Sequence, residues 1–431
     1  MAIDLPSVSI VVLNWNGKRH LTPNLQSLLA LDYPESKLEI ILCDNGSNDG
    51  SVELVQKDFP RVRVVALDRN YGFAEGNNRA ARLATGEWVG FLNNDMRVEP
   101  SWVKDLLSGI DERPSAVCLA SRILSWDGSA IDFAGGGVNY QGHGFQLGLG
   151  KAPVDTDASG RLLFACGGAM LIKKDVFLDV GGFDEQFFAF FEDVDLGWRL
   201  NLLGYDVWYV PRATALHRHH GTARKIPAHK LRVLYERNAL AMIFKCFDDQ
   251  NLAAALPAAL LLLNERALSL SGLDAGDFTL GEFDRTAQLV DEQGDPAIVG
   301  SMARPSIFVR AGRTLRRDGI RTTAFLAAGW ALTLVAGFFL WMRDQFRPSL
   351  LIVPGVTVSH YVGVSQFAHL LGSLKKKRAW IQERRKRTDA EIMPLFLNPL
   401  FSQYPDDRYV RFYRWMNRIL ELDQRFEVRP D

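Results

Sequence analysis

Apolar residues run through V-S-I-V-V-L at 8–13 and return at 38–42, 63–66 and 88–92, while the stretch 21–31 carries them at helical spacing. Short apolar runs bounded by polar turns predict buried strands, and the 3.6-residue spacing between them predicts a helix. Their alternation predicts βαβ units: an α/β, Rossmann-like, mainly parallel sheet flanked by helices. Three of the four predicted strands close on polar residues, Asn14 after the first, Asp44 and Asn45 after the second, Asn93, Asn94 and Asp95 after the fourth. Residues just past the carboxyl ends of parallel strands line the ligand crevice of such sheets.

The pattern weakens between 125 and 160, where glycines predict loops or an irregular hairpin of the kind that covers a substrate, and regular structure resumes with A-C-G-G-A-M-L-I-K-K-D-V-F. The run F-F-A-F-F-E-D-V-D-L-G-W-R-L then sets three carboxylates among aromatic and aliphatic residues. Glu192, Asp193 and Asp195 suit the positive end of a helix, Leu196, Leu200 and Leu203 form its apolar stripe, and Gly204 ends it. Capping alone accounts poorly for acids in so apolar a setting, because burying charge is costly unless pairing or chemistry uses it.

Past about residue 225 the composition changes, which predicts a boundary between a domain 1–225 and a mostly α-helical C-terminal region 226–431. Alanine and leucine dominate 252–263, an acidic segment follows at 273–295 and a basic one at 304–321. Residues 322–342 carry no charge and are flanked by Arg321 and Arg343. That length fits a membrane span, a helix in the membrane interface, or a helix buried in a helical domain, and basic residues on both sides leave orientation open. The run K-K-K-R-A-W-I-Q-E-R-R-K-R at 375–387 reads either as a solvated helix face or as a surface for anionic lipid or a pyrophosphate-bearing acceptor.

Composition narrows these possibilities. With 431 residues, 47% hydrophobic and 23% charged, the chain can bury a large core in two or three domains. Lys+Arg and Asp+Glu stand at 50 each, so net charge gives no reason to expect a nucleic-acid partner. Cys43, Cys118, Cys166 and Cys246 are dispersed in apolar surroundings that suit reduced thiols, and the first residues lack the basic and long apolar parts of a secretory signal. Together these predict a reducing, cytoplasmic setting.

The chemistry follows from the strand ends. In C-D-N-G-S-N-D-G-S, the short Asx and Gly residues specify a tight turn that exposes carboxylate and amide, so Asp44 or Asn45 is a candidate acceptor for the imide N–H of a pyrimidine. D-N-G by itself is an ordinary turn with a capping Asp. In F-L-N-N-D, Asn93 and Asp95 offer a weak and a strong oxygen ligand for a hard divalent cation, with Asn94 between them. N-x-D is common in turns and gains meaning only with the other motifs. L-H-R-H-H-G adds His217, His219 and His220 as candidate ligands. If Asp193 faces the cleft, it can take the proton of an attacking hydroxyl, with Glu192 and Asp195 orienting nearby groups.

V-S-I-V-V-L-N-W-N-G, D-N-G-S-N-D-G-S, N-Y-G-F-A-E-G-N-N, L-N-N-D, G-G-F-D-E-Q-F-F-A-F-F-E-D-V-D-L-G-W-R and the later His, in this order and spacing, resemble glycosyltransferase family 2 with its GT-A fold, over about residues 6–225. Within the family the chain is most similar to the rhamnosyltransferase-like branch of bacterial polysaccharide and cell-wall assembly. The resemblance implies that Asp44 and Asn45 contact the nucleotide base and that Asn14 and Asn78 line its pocket, with Asn93 and Asn94 on the donor-facing turn. It further implies that Asp95 and His217 hold Mg or Mn, and that Asp193 is the base of an inverting, single-displacement transfer. Asn93 replaces the first acid of the family's D-x-D element, which removes one charge from the metal site and gives His217 more weight. A processive synthase would carry Q-x-x-R-W after the base; the nearest match here is R-F-Y-R-W at 411–415, which favours single or few additions.

The implied partners are a nucleotide-sugar donor, dTDP-rhamnose or a UDP-sugar, a lipid-linked or polysaccharide acceptor, and a membrane surface, with the protein peripheral to or spanning the cytoplasmic face. The sequence leaves two other classes open. One is a non-catalytic nucleotide-sugar or carbohydrate binding module. The other is a nucleotidyl transferase, which would need a basic, Gly-rich phosphate loop that N-W-N-G-K-R renders poorly.

Overall fold

The computed structural model describes residues 5–153, 158–218, 226–271 and 354–427. The segments 273–295, 304–321 and 322–342, together with His219 and His220, lie outside the described residues. The chain divides into two compact units, one comprising Met1–Ala267 with Ser359–Asp431 and the other Leu268–Val358. The first unit carries the predicted site residues and holds residues from both sides of position 225.

Its N-terminal half alternates as the pattern predicts: β1 (Val8–Asn14), α1 (Lys18–Leu29), β2 (Leu38–Asp44), α2 (Ser51–Asp58), β3 (Arg63–Ala66), α3 (Gly72–Leu83) and β4 (Trp88–Asn93). Next come β5 (Met96–Val98), α4 (Trp102–Glu112), β6 (Ala116–Ser125), β7 (Ile131–Phe133), β8 (Gly136–Val138), β9 (Gly144–Gln146), β10 (Gly160–Leu162), β11 (Ala169–Lys173), α5 (Lys174–Asp179), α6 (Glu192–Leu202) and β12 (Asp206–His217). The helical part contains α7 (Ala228–Cys246), α8 (Asp249–Ser271), α9 (Gly355–Arg384), α10 (Asp389–Ile392) and α11 (Asp407–Ile419).

Ten of the strands form one sheet in the order β10-β12-β6-β11-β4-β1-β2-β3, with β5 added to β12 and β7 to β6, while β8 and β9 pair antiparallel as a separate hairpin. Pairing is parallel from β4 through β1 and β2 to β3, and again between β12 and β6. β11 is antiparallel to both β4 and β6, so the sheet is mixed rather than wholly parallel. Ile10, Val11, Val12, Ile41 and Leu42 are fully buried at its centre, while α3 packs on β1 and β2, and α4 on β6 and β12. Two-sided burial is why these strands read as continuous apolar runs.

The sequence around His217 predicts a strand and turn, whereas β12 runs on to His217 itself. Its register against β6 slips between Val210 and Thr214, which accommodates Pro211 where a continuous ladder would need its missing N–H. Pairing of β12 with β5 sets His217 opposite Met96, next to Asp95.

The helical part packs onto α6. Trp198 is fully buried with its ring 4.8 Å from that of Phe247 and 4.9 Å from that of Phe396. Helix α8 is long and apolar enough to cross a membrane by length and composition. Yet Ala255, Ala258, Ala259, Leu262 and Leu263 are buried in the core, and Arg266 is paired internally with Glu236 at 2.7 Å. Much of the 375–387 run is also structural: Lys377 pairs with Asp184, Arg378 with Asp249, Arg385 with Asp389, and Arg387 with Asp206. Only Lys375, Lys376, Arg384 and Lys386 of its basic residues are exposed.

Candidate active site

The parallel register brings the ends of β1, β2 and β4 together, with Asn14 opposite Asp44 and Leu13 opposite Asn93. A chain of hydrogen bonds joins them. Asn14 donates to Asp44 Oδ1 at 2.9 Å and accepts from the Asn94 amide at 2.7 Å, while the other Asp44 oxygen accepts from the Ser47 N–H at 2.8 Å. Asn14 is fully buried, so its amide orders both turns at once. Asn14, Asp44 and Asn94, which belong to three separate motifs, form one connected group.

Asn45 serves another purpose. Its amide donates to Asn70 Oδ1 and to the Gly72 carbonyl, and accepts from the Tyr71 N–H at 2.9 Å, fastening the 68–72 loop. Asn78 likewise donates to the Phe183 carbonyl at 2.8 Å and accepts from the Phe183 N–H at 2.9 Å. It clamps α3 to the segment ahead of α6, and the structure does not bring it into the Asn14–Asp44 group.

The turn after β4 is fixed from below by Asn24, a buried side chain of α1 that donates to the carbonyls of Asn93 and Met96 at 3.0 and 2.8 Å. This presents Asp95 to β12. His217 Nε2 lies 3.3 Å from Asp95 Oδ1, and His217 Nδ1 lies 2.5 Å from Asp132 Oδ2. Burial works against a charged imidazole, but the two carboxylates prevail and raise the His217 pKa to about 9. Burial also opposes ionisation of Asp95, yet the bond from His217 holds its carboxyl below the usual range. Asp132, buried on β7, escapes a reading of the sequence because it lies in the glycine-rich stretch without a recognisable pattern. Among the described residues there is no ready-made cage of three His, Cys, Asp or Glu side chains for a metal ion.

Gly167 and Gly168 link this corner to the carboxylates of α6. A Cβ on Gly168 would come within 2.8 Å of Met96 Cε and 2.9 Å of Asn93 Nδ2, so a larger residue there would displace both side chains. The neighbouring Gly167 N–H donates to Asp193 Oδ2 at 2.9 Å. Asn93 and Asp193 thus flank the same dipeptide. Burial raises the Asp193 pKa, outweighing bonds from backbone N–H groups, and among the described residues no cation is paired with its carboxylate. Burial, followed by the charge of Asp193, lifts the Glu192 carboxyl well above its ordinary range, and among the described residues the buried Glu192 Oε2 has no hydrogen-bond partner. Burial and then the charges of Asp193, Asp132 and Glu192 also push the Cys166 thiol up.

Asp195 departs from the sequence expectation. Two positions along a helix is about 200° of rotation, so it points away from Asp193. Its carboxylate is fully buried against Arg199 at 2.8 Å and Lys245 at 2.7 Å, and Lys245 also pairs with Asp184. This is an internal ion network on the side of α6 away from Asp193.

The segment that presents Glu192 and Asp193 is strained. Phe188, Phe190 and Phe191 all have positive φ, at 63°, 72° and 66°, conformations that cost non-glycine residues roughly 1–3 kcal/mol each. Asn238 of α7 holds it by donating to the carbonyls of Phe187, Ala189 and Phe190, and Arg237 donates to Phe187 as well. Nothing in the sequence around Asn238 signals this task.

Comparison with known proteins accords with the architecture. The sequence model of "Glycosyl transferase family 2" matches residues 9–181. The chain is 31% identical over 245 residues, 51% of its own length and 79% of the relative's, to the N-acetylglucosaminyl-diphospho-decaprenol L-rhamnosyltransferase of Mycobacterium tuberculosis. It is 32% identical over 235 residues to the O-antigen biosynthesis protein RfbC of Myxococcus xanthus, covering 52% of this chain and 18% of that one. Among solved structures it is similar to GalNAc-T7 with UDP, GalNAc and Mn2+, at a TM-score of 0.48 and 19% identity, over 60% of this chain and 51% of that one. A second is the mannosyltransferase PcManGT from Pyrobaculum calidifontis in complex with GDP-Man and Mn2+, at a TM-score of 0.44 and 16% identity, over 85% and 88% of the two chains.

Proposed function

The chain belongs to glycosyltransferase family 2 and is a glycosyltransferase, and from that premise we propose that it moves a sugar from a nucleoside diphosphate to a hydroxyl of a lipid-linked or polysaccharide acceptor, with inversion, in cell-surface glycan synthesis. The observation that carries this reading is Asp193, a half-buried carboxylate without a cationic partner among the described residues, held against Gly167 beside Asn93. A base so placed takes the proton of the acceptor hydroxyl as its oxygen attacks the anomeric carbon, and the bond to the diphosphate breaks in the same step. Asp44 and Asn14 serve the nucleotide end.

Asp95 and His217 are the residues we assign to a divalent cation, Mg or Mn. Two neighbouring ligands, each about 2.1 Å from such an ion, lie roughly 3 Å apart, and the 3.3 Å between Asp95 Oδ1 and His217 Nε2 fits that spacing. One carboxylate and one imidazole leave the rest of the shell to the donor's phosphates and water. When bound, the ion would neutralise charge on the leaving diphosphate. Asp132 would orient the imidazole from behind, as a carboxylate commonly does for a metal-bound histidine.

The Mycobacterium relative is named as an L-rhamnosyltransferase acting on N-acetylglucosaminyl-diphospho-decaprenol, which supports a rhamnosyl donor and a lipid-linked acceptor. The testing experiment is a donor screen with UDP-, dTDP- and GDP-sugars, Mg or Mn, and a lipid-diphosphate sugar as acceptor, following release of nucleoside diphosphate. Acceptor-dependent release from dTDP-rhamnose is expected. Release from a UDP-sugar would move the donor assignment alone, and no release from any donor would overturn the reading.

A further inference from the structure

Helix α11 packs through Tyr409, Tyr413 and Met416, which are all buried. At 100° per residue, Arg411, Arg414 and Arg418 fall within a narrow arc on its opposite face, and all three are exposed. Among the described residues none of their side chains has an acid or carbonyl partner. The basic run 375–387 differs, for there the half-buried members are tied to acids within the fold.

Apolar groups are interleaved with these arginines. Phe412 and Trp415 form a ring pair 5.6 Å apart on the same side of the helix, Ile419 is 63% exposed, and Leu420 is 44% exposed. The turn before α11 adds Leu397 and Phe401, also exposed. Between that turn and α11 lies a cleft of about 590 Å³ lined by Leu400, Phe401, Val410 and Tyr413 together with Arg414 and Arg418, and Asp423 is its one acid. Arginines without an ion pair among the described residues, interleaved with half-buried Phe412 and Trp415 and beside exposed Phe401, Ile419 and Leu420, outnumber the exposed Asp407 on that face and suit the boundary between anionic headgroups and acyl chains, where guanidinium heads meet phosphate and apolar parts leave water. A nucleic acid would use the charge but not Ile419, Leu420 and Leu397. A protein partner would supply acids but has no need of an open apolar cleft between two arginines.

We propose that the face formed by α11 and the 397–401 turn seats the protein on an anionic lipid bilayer. This goes beyond the transfer chemistry and does not depend on it. The face is nevertheless connected to the start of α6, which carries Asp193, by the β8–β9 hairpin. Phe145 packs against Phe401 with ring centroids 4.8 Å apart, Gln403 donates to the Gly144 carbonyl at 2.5 Å, and Gly144 lies against Phe191 and Val194 at the start of α6. A bilayer held at α11 is therefore one hairpin away from the helix that carries Asp193.

The test is sedimentation of the full chain with vesicles of phosphatidylcholine alone and of phosphatidylcholine mixed equally with phosphatidylglycerol. The protein is expected to pellet with the mixed vesicles only. Replacing Arg411, Arg414 and Arg418 together by Gln should weaken that partitioning by about a hundredfold, and Ile419→Ser with Leu420→Ser should weaken it at high salt, where the charge contribution is screened. Replacing Lys375, Lys376 and Lys386 by Gln should change it by much less. Melting temperature and nucleotide binding guard against unfolded variants. Failure of the unaltered protein to pellet with mixed vesicles, or equal pelleting of the arginine variant, overturns the proposal. Release from vesicles by inorganic phosphate beyond that caused by chloride at the same ionic strength would overturn it in favour of a free-phosphate site.

Discussion

Asp193 and Asp195 share one turn of α6 and stand in opposite surroundings. Asp195 faces the helical layer, where Arg199 and Lys245 meet it at 2.8 and 2.7 Å. Asp193 faces the sheet, where it is bonded to the N–H of Gly167 and to that of Val194. Both give up water, Asp195 wholly and Asp193 in part, but among the described residues only Asp195 is matched by cations. A matched carboxylate keeps its charge and holds elements together, whereas an unmatched one keeps an appetite for a proton. The same division separates Asp184, between Lys245 and Lys377, from Glu192, one oxygen of which has no hydrogen-bond partner among the described residues.

Exchanging Asp193 for Asn should break the comparison most sharply. The side chain keeps its shape and can still accept from Gly167, but loses the ability to take a proton, so kcat should fall by about 10²–10⁴-fold while donor binding persists. The expected stability change has the opposite sign. A folded-state pKa raised above the unfolded value means that the native protein binds the proton more tightly, so stability falls as pH rises through that range. The Asp193→Asn exchange removes this loss, and the variant should melt at or above the temperature of the parent at neutral pH. Single-turnover rates and melting curves on the same preparation test both halves; undiminished turnover would remove Asp193 as the base.

Lys245→Met should do the reverse. It strips the shared cation from Asp184 and Asp195 and should cost about 3–5 kcal/mol of stability, read from urea unfolding. Asp184 is held well below the usual carboxylate range, with burial opposed by Lys245 and then Lys377. Its contribution is therefore present at neutral pH and lost as pH falls below its unfolded value near 4. Without Lys245 that acid-side loss of stability should shrink. Rates per folded molecule should change far less than in Asp193→Asn, and a collapse of turnover without a loss of stability would place Lys245 in the chemistry.

Asp132→Asn tests whether the cluster at the end of β12 is itself matched or waiting for a partner. The Nδ1 side of His217 would lose its carboxylate, and Mn affinity measured with nucleoside diphosphate present should weaken about 10–100-fold. Unchanged Mn binding would show that Asp132 serves only the fold, while absence of Mn binding in the parent would remove the metal assignment altogether.

Much of this is legible in the sequence, for a physical reason. β1, β2 and β4 are largely buried, so each announces itself as an apolar run, ending in Asn14, Asp44 or Asn93, and parallel pairing leaves little choice about where those ends meet. The start of α6 and its end at Gly204, with φ of +88°, are legible in the same way. The direction of each side chain around that helix is a separate matter: spacing in the chain groups Asp195 with Asp193, although helical rotation separates them. Residues acting across long sequence distances stay hidden. Asn238 steadies a strained loop about fifty positions upstream, and Asp132 meets His217 only because β7 and β12 both border β6. The basic run 375–387 reads as a charged surface until Asp184, Asp206, Asp249 and Asp389 are found beside it.

Glu192→Gln should have the smallest effect and decides which of two adjacent acids acts. Burial, reinforced by the charge of Asp193, favours the protonated form of Glu192, and Gln imitates that form in shape and neutrality. If the unmatched surroundings hold Glu192 neutral while Asp193 works, kcat near neutral pH should fall by less than about tenfold, short of the range for losing a general base. A rate loss as large as that of Asp193→Asn would mean that the ionised form of Glu192 is required. The two neighbours would then exchange roles, with Asp193 holding Gly167 and Glu192 taking the proton. The pH dependence of single-turnover transfer in both variants separates the cases, because only the true base carries the acid limb of the profile away with it.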